Sequence, residues 1–422
     1  MSTSPVLPRR LGTLDAVVIG LGSMMGAGVF AAFTPAAQSA GSGLLMGLAI
    51  AAVVALCNAT SSAQLAAVYP TSGGTYVYGR ERLGPWWGFA AGWSFIIGKT
   101  ASCAAMAITF AAYAAPPGWE RALAVLAVLA LAGVNLIGIT KTAALARVLV
   151  VAVLIVLTVV IGAGATHGLP QLASTGALVS HGWYGVLQSA GLLFFAFAGY
   201  ARIATLGEEV LTPARTIPRA IVITLGVTVV IYAAVAVTIL GTLGPNGVAA
   251  SSTPLAASVV ASGAGWAAPV VRVGAAAASL GALLALIAGI GRTTLAMARG
   301  GDLPGWLGAV HPRWHVPHRA EVVLALVICV VVLTVDLRGA IGFSSFGVLL
   351  YYFVANLSAI GQPATERRYP RVLAAVGAVA CLVLVVTLPP LTIAFGVGVV
   401  VVGVVGRLVL RRRVTSDGLP ES

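Results

Sequence analysis

Two kinds of residue in this chain stand where ordinary structure would not place them. The first are glycines inside apolar runs. Gly20, Gly22, Gly26 and Gly28 fall within nine positions of the run Gly20-Leu-Gly-Ser-Met-Met-Gly-Ala-Gly-Val-Phe30. Each costs a helix interior about 1 kcal/mol relative to Ala, yet each lets the backbone unwind and approach a ligand closely. Small residues also serve close helix–helix packing, and glycines alone fit that role equally well. A second break falls in Phe194-Phe-Ala-Phe-Ala-Gly-Tyr200, followed by Arg202 and Glu208-Glu209. The second kind are charged residues at depth. Lys99 lies about fourteen residues beyond Pro85, some 21 Å along a helix at ~1.5 Å per residue, too deep to snorkel easily to either interface. An ionisable group there is a functional hypothesis because its insertion is costly.

These residues sit in a chain that water cannot accommodate. Of 422 residues 59% are hydrophobic and 8% charged, whereas a soluble domain carries about 25% charge. The fold class is therefore an all-α polytopic membrane protein. A span needs about 20 apolar residues, and twelve runs qualify: 14–35, 41–66, 85–113, 119–138, 142–165, 183–205, 217–243, 266–296, 320–336, 340–360, 371–388 and 390–409. Residues 1–13 and 410–422 form the tails, the latter with arginines facing anionic lipid. The formal charge of +13 does not imply nucleic acid. Most Lys and Arg fall on one side of the predicted spans, and only Arg121, Arg272 and Arg338 on the other. By the positive-inside rule both termini are cytoplasmic. The N-terminal run lacks a small-residue cleavage site and reads as a first span rather than a signal peptide.

The breaks in the first and sixth spans stand five spans apart. That is the pattern of two inverted five-helix repeats (14–165 and 183–360, with 371–409 peripheral), each giving one broken helix to a midplane site. The chain resembles the amino acid–polyamine–organocation superfamily of secondary transporters. The resemblance is carried by Gly22-Ser-Met-Met-Gly-Ala-Gly-Val-Phe30, Tyr69-Pro-Thr-Ser-Gly-Gly-Thr-Tyr76, Phe194 to Tyr200 with Glu208-Glu209, Pro213-Ala-Arg-Thr-Ile-Pro-Arg-Ala220 and Arg299-Gly-Gly-Asp-Leu-Pro304. It implies a 5+5 inverted-repeat core of 12 transmembrane helices in the plasma membrane. It also implies uptake or exchange of amino acids or related amines by alternating access.

Carried over by position, the resemblance puts the substrate carboxylate on backbone N–H groups around Met24, Ala27 and Gly28, as an anion site at a half-helix end. The α-ammonium falls to the carbonyls of Met24, Phe195 and Ala198, with Ser23, Gly26 and Gly199 lining the same breaks. Phe195 matches an aromatic gate, the alternative being an ordinary core aromatic. Lys99 either contacts the substrate side chain, or cycles between charged and neutral forms during coupling, or is structural. Arg202, with Glu208 or Glu209 as partner, is open to structural pairing, an inner-gate latch or contact with an acidic substrate group, the latch being favoured. Ala201 stands where relatives often carry an acid, which together with Lys99 and Arg202 points to neutral or anionic amino acids.

Protons are a candidate coupling ion, but the fifth span reads Val150-Val-Ala-Val-Leu-Ile-Val156 without the lysine of proton-coupled relatives; Lys99 could substitute, and an amino acid or amine exchanger, a uniporter, or a transporter of other small organic cations without ion coupling stays open. Sodium is no better supported, since Ser279 and Thr293 are scattered hydroxyls. No cofactor or metal is expected. Cys57, Cys103, Cys329 and Cys381 lack ligand spacing, and His311, His315 and His318 sit among prolines away from the breaks. An integral-membrane enzyme would need a nucleophile–base or metal constellation at depth, and the histidines and acids lie at the span ends. A channel would need a continuous pore rather than paired breaks. Monomer and dimer are both open.

Overall fold

The computed structural model describes residues 11–70, 73–138, 142–167, 171, 179, 181–204 and 210–416. Every one of the twelve apolar runs falls on helix. The first is divided into α1 (Thr13–Met24), α2 (Ala27–Ala31) and α3 (Phe33–Ala40). It is followed by α4 (Leu44–Val68), the short α5 (Thr75–Leu83), α6 (Pro85–Ala114), α7 (Glu120–Leu136) and α8 (Thr142–His167). The second half begins with α9 (Gly182–Phe197), a 3-10 turn at Ala198–Tyr200 and α10 (Ala201–Ala204). It continues through α11 (Pro213–Ala250), α12 (Pro254–Ala261), α13 (Ala268–Arg299), α14 (His318–Thr334), α15 (Leu337–Ile360), α16 (Arg371–Thr387) and α17 (Pro390–Ser416). Among the described residues nine helical stretches are long and apolar enough to cross a bilayer. The helices α7, α14 and α16 are 17 residues each. Beyond 409, α17 continues to Ser416, so the predicted C-terminal tail starts as helix, with the Arg411 guanidinium 5.7 Å over the Trp86 ring.

Helix ends follow local chemistry. Pro85, Pro213 and Pro254 open their helices, where a missing N–H costs nothing and φ is already helical. Asp336 caps α15 by accepting from the Gly339 N–H at 2.8 Å, serving one of the donors a helix start leaves over. Gly244, at φ 70, breaks α11 just ahead of Pro245.

The centre of the bundle is α6, packed against α13 and α15. Its tightest approach is a glycine pair: a Cβ on Gly347 would stand 2.7 Å from the Gly98 Cα and 2.6 Å from the Ser94 carbonyl oxygen. No side chain fits there. With Gly98 pressed on α15, Lys99 is turned about 100° onward at 3.6 residues per turn. The Ser102 and Ser344 hydroxyls, 2.6 Å apart, close the same interface.

A candidate substrate site at two facing helix breaks

The first helix stops at Met24, two residues run non-helical, and α2 restarts at Ala27. Met25 still donates to Leu21 at 2.7 Å. Across Ala32 the backbone keeps i to i−4 bonds, Ala32 to Gly28 at 3.0 Å and Ala36 to Ala32 at 3.2 Å. The chain therefore bends at Ala32 without unwinding. The second break is the 3-10 turn Ala198–Tyr200. Both interruptions fall where glycine disturbs the apolar pattern.

The two breaks touch. A Cβ on Gly199 would lie 2.3 Å from the Ser23 carbonyl oxygen and 2.6 Å from the Met24 nitrogen. A Cβ on Gly28 would lie 2.7 Å from the Ala196 Cα. Backbone therefore meets backbone at both contacts, and only glycine permits it. Of the predicted residues, Met24, Gly26, Ala27, Gly28, Lys99, Phe195 and Ala198 are buried, while Ser23 and Gly199 are half-buried. The Ser23 hydroxyl turns back to the Ile19 carbonyl at 3.0 Å.

Each of the three carbonyls predicted to take an ammonium already accepts a hydrogen bond. The Tyr232 hydroxyl lies 2.6 Å from the Met24 oxygen and 3.1 Å from the Ala196 oxygen. The Phe195 oxygen accepts from the Ala198 N–H in the turn. The Ala198 oxygen accepts from Lys99 Nζ at 3.3 Å. Lys99 is 8% exposed and forms no salt bridge among the described residues; the Cys103 thiol lies one turn on. Phe195 is buried, at 7% exposure.

Arg202 lies on α10, immediately after the second break, and is half-buried. Glu208 and Glu209, the predicted latch partners, lie outside the described residues. In α8 the stretch Val150 to Val156 carries no base, and Arg147, nearer the helix start, pairs with Asp15 at 2.7 Å. No group of three or more His, Cys, Asp or Glu among the described residues could hold a metal ion. His311 instead accepts from the backbone of Arg313 and stacks on Trp314 at 4.4 Å.

Sequence reasoning missed Tyr232, since one tyrosine in an apolar run reads as core. Its polar handle is the signal, because a buried Tyr hydroxyl needs a partner. A second unforeseen cluster closes the arginine-rich end of the bundle. Asp302, 2% exposed, receives Arg407 Nη2 at 2.6 Å, the Tyr76 hydroxyl at 3.0 Å and Arg80 at 3.8 Å. Arg407 is 1% exposed, donates to the Pro85 carbonyl at 3.0 Å, and lies 4.3 and 4.7 Å over the Trp86 and Phe89 rings. Burial, and then the Asp302 carboxylate, push the Tyr76 phenol up, which keeps it a donor. At the opposite end Arg338 Nη2 reaches both Ser39 and Gln188 at 2.9 Å, tying α15 to α3 and α9.

The described residues are thus apolar helices, two of which break and touch at their breaks. The chain belongs to the amino acid permease family, whose model matches residues 11–410, as the sequence resemblance implied. An uncharacterized transporter of Mycobacterium tuberculosis is 57% identical over 97% of this chain and 94% of its own length. The branched-chain amino acid permease BcaP of Bacillus subtilis is 27% identical over 74% of this chain and 72% of its own. Cationic amino acid transporter 4 of Homo sapiens is 29% identical over 84% of this chain and 60% of its own.

Proposed function

We propose that this permease is a secondary active transporter that moves amino acids across the plasma membrane by alternating access, with the substrate held between the two breaks. The observation that carries the reading is the contact of Gly199 with the Ser23–Met24 backbone. It brings the end of α1 and the start of α2 against the end of α9 at one depth. Irregular backbone is tolerated at membrane depth only inside protein or along a cavity, and half-helix ends there suit small charged groups. The α-carboxylate would meet the N–H groups of Ala27 and Gly28, which precede any intrahelical acceptor. The α-ammonium would displace the internal donors from the carbonyls of Met24 and Ala198. Phe195 would cover the substrate.

In the same reading the twelve helical runs are twelve spans, 14–165 and 183–360 are inverted repeats, and the arginine-rich end faces the cytoplasm with both termini. Arg202 would latch the inner side with Glu208. Exchange or uniport is a second reading, favoured by the apolar stretch of α8 and by the pairing of Arg147 with Asp15.

The test is thermal unfolding of the purified protein against the twenty amino acids and common polyamines. A ligand that binds only the folded state stabilises it by mass action, about 2.7 kcal/mol at a hundredfold excess over Kd. A selective upward shift with a few amino acids is expected. Silence across the panel would overturn the amino acid reading.

A further inference from the structure

Among the described residues the bundle contains two deeply buried cations, and they are treated differently. Arg407 has a carboxylate at 2.6 Å and two aromatic faces. Lys99 has one carbonyl at 3.3 Å and, among the described residues, no salt bridge. An ammonium carries three protons, and a buried charge is stable only when paired and hydrogen-bonded. The oxygen that Lys99 holds, that of Ala198, belongs to the turn of the second break. A lysine there is placed to interact with whatever occupies the breaks.

We propose that Lys99 is a specificity-determining residue that selects amino acids bearing a second carboxylate, of the aspartate and glutamate kind. The inference rests on the reading of the breaks as the substrate site. An incoming α-ammonium that takes the Ala198 oxygen meets Lys99 Nζ on the same atom, and two cations on one carbonyl repel strongly where water is excluded. A neutral amino acid is a zwitterion and leaves the Lys99 charge uncompensated. A cationic one adds a further positive charge. An acidic one supplies a side-chain carboxylate that draws Lys99 off the Ala198 oxygen, frees that oxygen for the α-ammonium, and brings the sum of Lys99 and substrate to zero.

The experiment is counterflow in proteoliposomes holding the full chain, with L-glutamate, L-aspartate, L-leucine and L-lysine as probes. Uptake of the two acidic amino acids is expected to exceed that of leucine and lysine at least tenfold. Lys99→Met and Lys99→Gln are expected to lower the acidic-to-neutral ratio at least tenfold, and Lys99→Arg, which keeps the charge, to retain a preference for acids. A purely structural lysine would lower all uptake in proportion and leave the ratio unmoved, which overturns the proposal. A wild-type preference for leucine or lysine also overturns it while leaving amino acid transport intact. Binding of none of the twenty amino acids in the thermal panel would remove the substrate reading itself, and the inference with it.

Discussion

Lys99 and Arg407 make a controlled comparison inside one molecule. Both are cations withdrawn from solvent on helices of the bundle, at 8% and 1% exposure. Arg407 brings together α17, the start of α6 through Pro85, the loop acid Asp302 and, through Tyr76, the short helix α5. Its Nη2 meets a carboxylate and a carbonyl and its plane lies over two rings, while Nε and Nη1 have no hydrogen-bond partner among the described residues. Lys99 lies against the second helix break, on one backbone oxygen. A buried charge with a carboxylate counter-ion and a hydrogen-bond acceptor holds structure together. One without the counter-ion marks the place where something else is expected to bind.

That difference is most easily broken by removing the counter-ion. Asp302→Ala leaves Arg407 buried without its carboxylate, and breaking a buried pair in this way costs about 3–5 kcal/mol. A large fall in thermal unfolding temperature is expected, and transport is expected to fall with it. Lys99→Met removes a cation that has no carboxylate partner among the described residues, so the same measurement should show an unchanged or higher unfolding temperature. Equal losses for the two variants would erase the distinction.

Next in size is Gly199→Ala. The added methyl would stand 2.3 Å from the Ser23 carbonyl oxygen, backbone that cannot rotate away. Overpacking of this kind costs about 1–3 kcal/mol, and here it also drives the breaks apart. Substrate-induced stabilisation is expected to vanish while membrane-inserted protein remains detectable. Retained binding would move the site elsewhere.

The smallest effect belongs to Tyr232→Phe. The hydroxyl carries a single proton that serves the Met24 and Ala196 oxygens, so its loss costs about 1 kcal/mol of folding stability. It also releases two carbonyls at the breaks, and substrate affinity is expected to change more than stability does. A variant that loses stability but binds with unaltered affinity would assign Tyr232 to packing alone.

How much of this was legible beforehand depends on the reach of each signal. The helices were, because an apolar run of about 20 residues is a local property. The two breaks were also legible, because glycine in such a run opposes helix propensity on its own account. Lys99 stood out by charge and depth. What the chain did not disclose was contact. Tyr232 reads as an ordinary core aromatic until α11 is laid against α1 and α9. Arg407 reads as one of many arginines near a span end. Only the packing of α17 on α6 turns it inward to Asp302, and no periodicity reports a pairing between such distant segments. The occupation of the Ala198 carbonyl by Lys99 was equally hidden. A family position names the oxygen, but the competing donor comes from another helix.

The pairing of Asp302 with Arg407 has a bearing on biogenesis. The acid lies in the loop after α13, and its guanidinium arrives on α17, made after every other helix described here. Without it, Asp302 has among the described residues Tyr76 and the more distant Arg80. Assembly at the arginine-rich end is therefore completed last, and a nascent chain stalled before α17 exposes an acidic group that the finished protein conceals. Quality control that recognises this exposed charge would distinguish finished from unfinished copies without sampling the transport site at all.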